Sequence, residues 1–381
     1  MKRIKSDKII TDGAIKKGYV YYGGGVITEV SERELPYESE IDATGLYVAP
    51  GFIEIHSHGG GGNSFDGDVG EILQGCEFHM RHGVTSILPT LSCAAFDKMK
   101  RSVGNISEAM KSEDRPLNII GAHMEGPYLS LAQTGAQGAD FIYPPKKAEY
   151  EGLVNSYQGA VARWSYAPEE DEGFEFSAFL AKNKILGSAG HTNATYEDMK
   201  GAMEAGGLSL VTHLYSCTST ITRVGGFRKL GVIESAYLED DLSVEIIADG
   251  KHLPIDLIKL IYKLKGPDKI ILITDSLSVA GTEARSGRME STEYIIEDGV
   301  CKLADRSAFA GSIATADRLI RVAMEAGIPF IEAVGMMTKN AARVLDLKKK
   351  GEISVGMDAD IVIFGEGVDI QSVIVGGERK F

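Results

Sequence analysis

The chain has 381 residues, 44% of them hydrophobic and 25% charged, a globular composition with apolar material for a large core, which excludes a disordered chain. Forty basic against 54 acidic side chains give a formal net charge of −14, a field that repels polynucleotides and anionic membrane surfaces. The length exceeds the ~100 to 200 residues of an ordinary domain, whereas an α/β barrel alone runs to roughly 250, so one barrel with a small companion domain is expected.

The start, MKRIKSDKII, is charged but lacks the apolar stretch of ~7 to 15 residues that a secretory signal requires. Nor does any segment reach the ~18 apolar residues of a membrane span. Cys76, Cys93, Cys217 and Cys301 form no C-x-x-C pair. They read as reduced, mostly buried thiols, and the expected location is cytoplasmic.

Residues 1–50 predict short strands with glycine turns, at 8–11, 19–22, 26–30 and 46–48. From Gly51 the texture changes to buried runs alternating with charged helical stretches. The runs are 52–56, 85–89, 118–123, 162–166, 184–189, 209–212, 244–248 and 270–274. Eight runs with crossover helices predict a (β/α)8 TIM-like barrel of the α/β class. Helices are expected at 68–82, 95–112, 196–205, 254–263, 314–326 and 330–345, and a hairpin turning at Asp298-Gly299 over 293–303. The tail returns to strands at 361–364 and 372–375. The simplest architecture joins 1–50 and 350–381 into a small β-sandwich domain beside a barrel over 51–349.

Six side chains stand at or just past the ends of these runs: His56, His58, Glu125, His191, His213 and Asp275. The two histidines of H-x-H share one face of an extended strand. Isolated, such a pair is usually no more than two polar residues at a strand end. In a barrel, however, the C-terminal strand ends converge on one mouth, where catalytic groups sit. Imidazole and carboxylate suit zinc or another first-row divalent ion, and a glutamate can bridge two. Without a cation such a cluster would strand charged groups in a dry site. His79 and His82 lie on a helix and read as packing or surface residues; His252, in Asp249-Gly250-Lys251-His252 after the seventh run, faces the mouth. The run Gly59–Gly62 reads as a flexible loop or as backbone that lets an anion approach, and Lys348–Lys350 as a solvated turn.

In order along the chain, PGFIEIHSHGGGG, TSILPTL, GAHMEGPYLS, AGHTNATYEDM, THLY, EIIADGKH, ILITDS and GMDADIVIF resemble the amidohydrolase superfamily and, within it, the N-acetylglucosamine-6-phosphate deacetylases. The resemblance covers nearly the whole chain. It implies one divalent ion on Glu125, His191 and His213, a second on His56, His58 and the shared Glu125, and Asp275 as catalytic acid/base. Zinc is the first choice of ion, with iron, cobalt or manganese as alternatives. It further implies an amino-sugar phosphate substrate, a homodimer, His252 as a substrate contact and Arg223 as a phosphate ligand in a neighbouring subunit's site. Arg228 shares that loop, and an ordinary surface arginine is the competing reading of Arg223.

Two positions depart from the family pattern. Gln137 stands where many relatives carry a histidine that polarises the acetyl carbonyl, and its amide is expected to donate in its place. Ser216 and Cys217 in HLYSCT replace the family's H-L-x-N-A-M, which removes an asparagine that contacts the sugar and leaves the galactosamine epimer, or another N-acyl sugar, open. A cyclic-amide hydrolase would usually carry a strand-four lysine, but that run reads Val161-Ala162-Arg163-Trp164-Ser165-Tyr166. A non-catalytic homologue would be expected to lose a ligand or the acid/base, and this chain keeps both.

Overall fold

The computed structural model describes residues 1–381. Eight parallel strands make the barrel: β1 (Phe52–Ser57), β2 (Val84–Leu91), β3 in two pieces (Asn118–Ile119 and Ala122–Glu125), β4 (Val161–Tyr166), β5 (Leu186–Ala189), β6 (Leu208–Val211), β7 (Ser243–Ile246) and β8 (Ile270–Leu272). Each pairs in parallel with the next, from β1 with β2 through to β7 with β8. The ring closes past the end of β8, where Asp275 N–H donates to His56 C=O and His58 N–H to Ser276 C=O, both at 2.9 Å. Burial on both faces explains the near-continuous apolar runs; all eight residues of β2 are buried.

The crossover helices start where local chemistry starts them. Asp68 caps Val69–Arg81 by accepting the Glu71 N–H, and Ile72, Cys76 and Met80 follow at i, i+4, i+8 on its buried face. Tyr196–Glu204 begins with a capping box of Thr195 and Asp198. Lys147–Ser156, Glu175–Lys182 and Val232–Leu238 are further crossover helices that hydrophobic spacing did not single out; all three are ten residues or shorter. The single helix expected over 330–345 is two, Phe330–Met336 and Lys339–Val344. Thr338 breaks it: its backbone leaves the helical region (φ −131, ψ −89), and its hydroxyl donates to Val334 C=O. Lys339–Val344 then packs Ala341 and Ala342 against Ile53, Ile55, Ile271 and Ile273.

Both termini enter one sheet. Its order runs Glu378–Arg379, Ile370–Val375, Ile361–Phe364, Tyr47–Pro50, Lys2–Thr11, Ala14–Gly23, Val26–Ser31, with Ser39–Asp42 beside the first half of Lys2–Thr11. The far edge is tied back by Ile27 N–H to Met357 C=O and Gly356 N–H to Ile27 C=O, each 2.8 Å. The sandwich is thus one sheet folded over a core that includes Ile4, Val20, Ile27, Val48, Ile361 and Ile374. The hairpin expected over 293–303 belongs to a larger antiparallel flap of Ser286–Met289, Thr292–Glu297, Val300–Leu303 and Phe309–Gly311. Asp298 and Gly299 both have positive φ, as the tight turn requires. No helix is long and apolar enough to cross a membrane.

Candidate metal centre

The six residues at the strand ends meet. Glu125, the last residue of β3, is the hub: its Oε1 lies 3.3 Å from His56 Nε2, 3.4 Å from His191 Nε2 and 3.1 Å from His213 Nε2, and its Oε2 lies 3.1 Å from His58 Nε2. Asp275 Oδ1 approaches His56 Nε2 at 3.5 Å and His58 Nε2 at 3.4 Å. His191, His213 and Asp275 all have left-handed backbone (φ 47, 30 and 46). Such strain in non-glycine residues costs roughly 1–3 kcal/mol each and gathers at functional sites. Here it turns each side chain inward as the chain leaves its strand.

The other ring nitrogens fix the tautomers. His56 Nδ1 faces Glu245 Oε2 at 3.3 Å, an acceptor only, so it carries the proton. His191 Nδ1 faces Gln133 C=O at 3.0 Å. His58 Nδ1 meets Ser92 Oγ at 3.2 Å, and that hydroxyl donates in turn to Asp66 Oδ2 at 2.9 Å. Three Nε2 lone pairs therefore aim at carboxylate oxygens, an arrangement that is repulsive unless each ring takes a second proton or a cation lies between them. His56 Nε2 and His213 Nδ1 have no hydrogen-bond partner although buried. Three subsets have ligand atoms mutually within 4.8 Å: His56, His58 and Glu125; Glu125, His191 and His213; His56, His213 and Asp275. Imidazole nitrogen with carboxylate oxygen fits zinc or another first-row divalent ion.

Electrostatics agree. Burial pulls the His56 and His58 imidazoles down, but Glu125 and Asp275 outweigh it and push them up to about 9 and about 10. Burial alone would raise Glu125 and Asp275; the facing histidines overcome it and hold both carboxylates below their ordinary range. His123, by contrast, is held neutral, chiefly by burial and then by Arg163.

A cavity of about 250 Å3 opens over the cluster, lined by Gln137, Tyr215, Ser216, Cys217, His252 and Phe309 besides the ligands. The His252 ring is held by Asp249 through Nδ1 at 2.8 Å, leaving Nε2 free. Gln137 lines the cavity with its amide already engaged on the protein. Its Nε2 donates to Glu125 Oε2 at 2.6 Å and its Oε1 accepts the Cys93 N–H at 2.9 Å, so both ends of the amide are used in orienting the hub carboxylate. Arg223 is exposed on a small hairpin, opposite Arg228, and does not line this cavity. The glycine run is neither a flexible loop nor an anion cradle. Gly61 and Gly62 N–H donate to Ala280 and Ser278 C=O, and a Cβ on Gly60 would come within 2.2 Å of the Phe78 ring. His79 is a packing residue, as expected, bound to Ser57 Oγ and Gly59 C=O.

Sequence reasoning missed the layer beneath the ligands: Glu54, His123, Arg163 and Glu245, all fully buried. The available signal was a charged residue inside an otherwise apolar barrel strand.

The sequence model of the Amidohydrolase family matches residues 47–380. The N-acetylglucosamine-6-phosphate deacetylase of Bacillus subtilis (strain 168) is 32% identical over 99% of this chain and 96% of its own. An N-acetylgalactosamine-6-phosphate deacetylase of Shewanella sp. (strain ANA-3) is 28% identical over 89% of this chain and 84% of its own. The crystal structure of N-acetyl-D-glucosamine-6-phosphate deacetylase from Mycobacterium smegmatis superposes with a TM-score of 0.91 at 27% identity, covering 100% of both chains. With its barrel, its strand-end cluster of histidines and carboxylates and this coverage, the chain belongs to the amidohydrolase family.

Proposed function

We propose that the chain hydrolyses the acetamide of an N-acetyl amino-sugar phosphate, first of all N-acetylglucosamine-6-phosphate, to the free amine and acetate. The observation that carries this is the convergence of histidine Nε2 atoms on Glu125 and Asp275 beneath an open cavity, together with relatives of that activity over nearly the whole chain. Residues 51–349 are the catalytic barrel in this reading, and 1–50 with 350–381 its companion. Glu125, His191 and His213 hold one divalent ion, and His56, His58 and Glu125 a second, zinc being the first choice. A bound divalent ion supplies Lewis-acid polarisation of a carbonyl and lowers the pKa of water toward ~7.

Asp275, ionised in the field of the two histidines, takes a proton from the attacking water. It delivers that proton to the nitrogen as the C–N bond breaks, because an amide anion is too poor a leaving group to depart unprotonated. His252, with Nδ1 fixed by Asp249, offers Nε2 to the substrate, and Ser216 and Cys217 line the sugar side. Gln137 acts through Glu125.

Arg223 lies outside its own chain's cavity, on a hairpin that exposes Val224 and Phe227, which suits a homodimer in which it reaches the partner's phosphate. The guanidinium fork matches phosphate oxygens. Arg223→Ala is expected to raise KM for the phosphorylated substrate about 10-fold or more with a small change in kcat, as loss of a charged hydrogen bond of about 1.5–3 kcal/mol implies. An unchanged KM would make Arg223 a surface residue.

Acetate release from N-acetylglucosamine-6-phosphate, its galactosamine epimer and the unphosphorylated sugar tests the proposal directly. Release is expected to be fastest from the first and slowest from the last. Faster release from the epimer would reassign the sugar, and no release from any would sink the deacetylase reading.

A further inference from the structure

Beneath the ligands lies an ion pair that the reaction does not use. Arg163 of β4 and Glu245 of β7 are both 0% exposed. Arg163 grips both Glu245 oxygens, Nη1 on Oε1 and Nη2 on Oε2, the latter at 2.8 Å. Its remaining donors reach Ile55 C=O at 3.0 Å, Thr212 Oγ1 at 3.0 Å and Ser188 Oγ at 3.2 Å. Ile55 precedes His56, Thr212 precedes His213, and Ser188 lies three residues before His191. One guanidinium thus ties β4 to the three strands whose ends carry four of the six candidate ligands.

Stability does not explain the pair. Desolvating two ions is costly, and well-packed apolar side chains in the same volume are often as stable or more so. What the pair supplies is a fixed acceptor. Glu245 Oε2 stands 3.3 Å from His56 Nδ1 and 3.4 Å from the His213 N–H. A carboxylate held by two arginine nitrogens stays ionised, so His56 keeps its proton on Nδ1 and presents Nε2 to Glu125 and Asp275. The His123 ring packs edge-on against His56, with centroids 4.6 Å apart at 85°, and limits tilting. Hydrogen bonds of this kind, from the far nitrogen of a ligating histidine to a carboxylate, set ring orientation and typically govern metal affinity by 10- to 100-fold.

We propose that the Arg163–Glu245 pair is the positioning device of His56, and that it enables the barrel to hold the second divalent ion, at His56 and His58. This rests on the metal-centre reading above but on no particular substrate. Arg163→Met/Glu245→Leu removes both charges together, so that neither is left buried alone. After chelation, wild type and variant are titrated with Zn2+ under equilibrium dialysis, with metal counted by mass spectrometry. Wild type is expected to take up two ions per subunit. The double variant keeps one with wild-type affinity and binds the other 10- to 100-fold more weakly. Arg163→Met/Glu245→Gln, which restores an acceptor to His56 Nδ1, should recover part of that loss. Two ions at wild-type affinity in the Leu variant, or wild type saturating at one, would overturn the proposal.

Histidine 15N NMR of the zinc-loaded wild type gives a readout that needs no variant to fold. His56 should show a protonated Nδ1 and a ligated Nε2, and the reverse assignment would also overturn it. Neither measurement uses substrate, so they stand or fall apart from acetate release.

Discussion

Asp275→Asn is expected to lower kcat by about 10²- to 10⁴-fold, the usual worth of a positioned acid/base, while KM and metal content stay near wild type. Asparagine matches the carboxylate in size and can still turn an oxygen toward His56 and His58, which Asp275 Oδ1 approaches at 3.5 and 3.4 Å. It cannot take up a proton. The aspartate suits that task because burial, which would raise its pKa, is outweighed by the two imidazoles. It is therefore a free base at neutral pH, and the wild-type rate should not fall with acid until below the ordinary carboxylate range on this group's account. Steady-state kinetics with parallel metal analysis make the check. A near wild-type kcat would remove Asp275 as the proton shuttle, and loss of metal in proportion to activity would move it into the ligand set.

How much of this was legible in the sequence depends on what each residue's role rests on. The meeting of the six strand-end side chains could be read because barrel geometry brings C-terminal strand ends to one mouth, so position along an apolar run already implies position in space. Their tautomers could not be read, because these depend on partners far away in sequence: Glu245 lies 189 residues from His56, and Gln133 lies 58 from His191. Gln137 shows the same limit. Its residue type suggested a donor to substrate, and nothing in the local sequence announced that one of its two amide N–H groups is spent on Glu125 Oε2. The split at Thr338 escaped because the apolar spacing of 330–345 continues across it, while the break comes from one backbone rotation. Gly59–Gly62 looked mobile by composition, yet close approach of the Phe78 ring, not freedom, is what requires glycine at position 60.

Metal binding is expected to be strongly proton-coupled. In the metal-free protein His56 and His58 titrate at about 9 and about 10, against ~6.5 for an unperturbed histidine. At pH 7 both rings hold the proton that a divalent ion must displace. Two displaced protons make the apparent affinity of that site rise up to about 100-fold per pH unit below about pH 9, levelling off above about 10. The stability of the metal-free fold runs the opposite way. A folded-state pKa raised above its unfolded value gives stabilisation that is complete below about pH 6.5 and is lost as the pH rises through 9 to 10. The gap in Tm between zinc-loaded and chelated protein should therefore widen from pH 6 to pH 9, since the ion takes over the role of the departing protons between Glu125 and Asp275. Calorimetric titration with Zn2+ in buffers of different ionisation enthalpy should report about two protons released near pH 7.5 for the ion that His56 and His58 take up, besides the proton that His191, also raised well above its ordinary value, gives up to the other. Release of none, with an affinity flat between pH 6 and 8, would mean that the rings are already neutral and that the carboxylates do not control them.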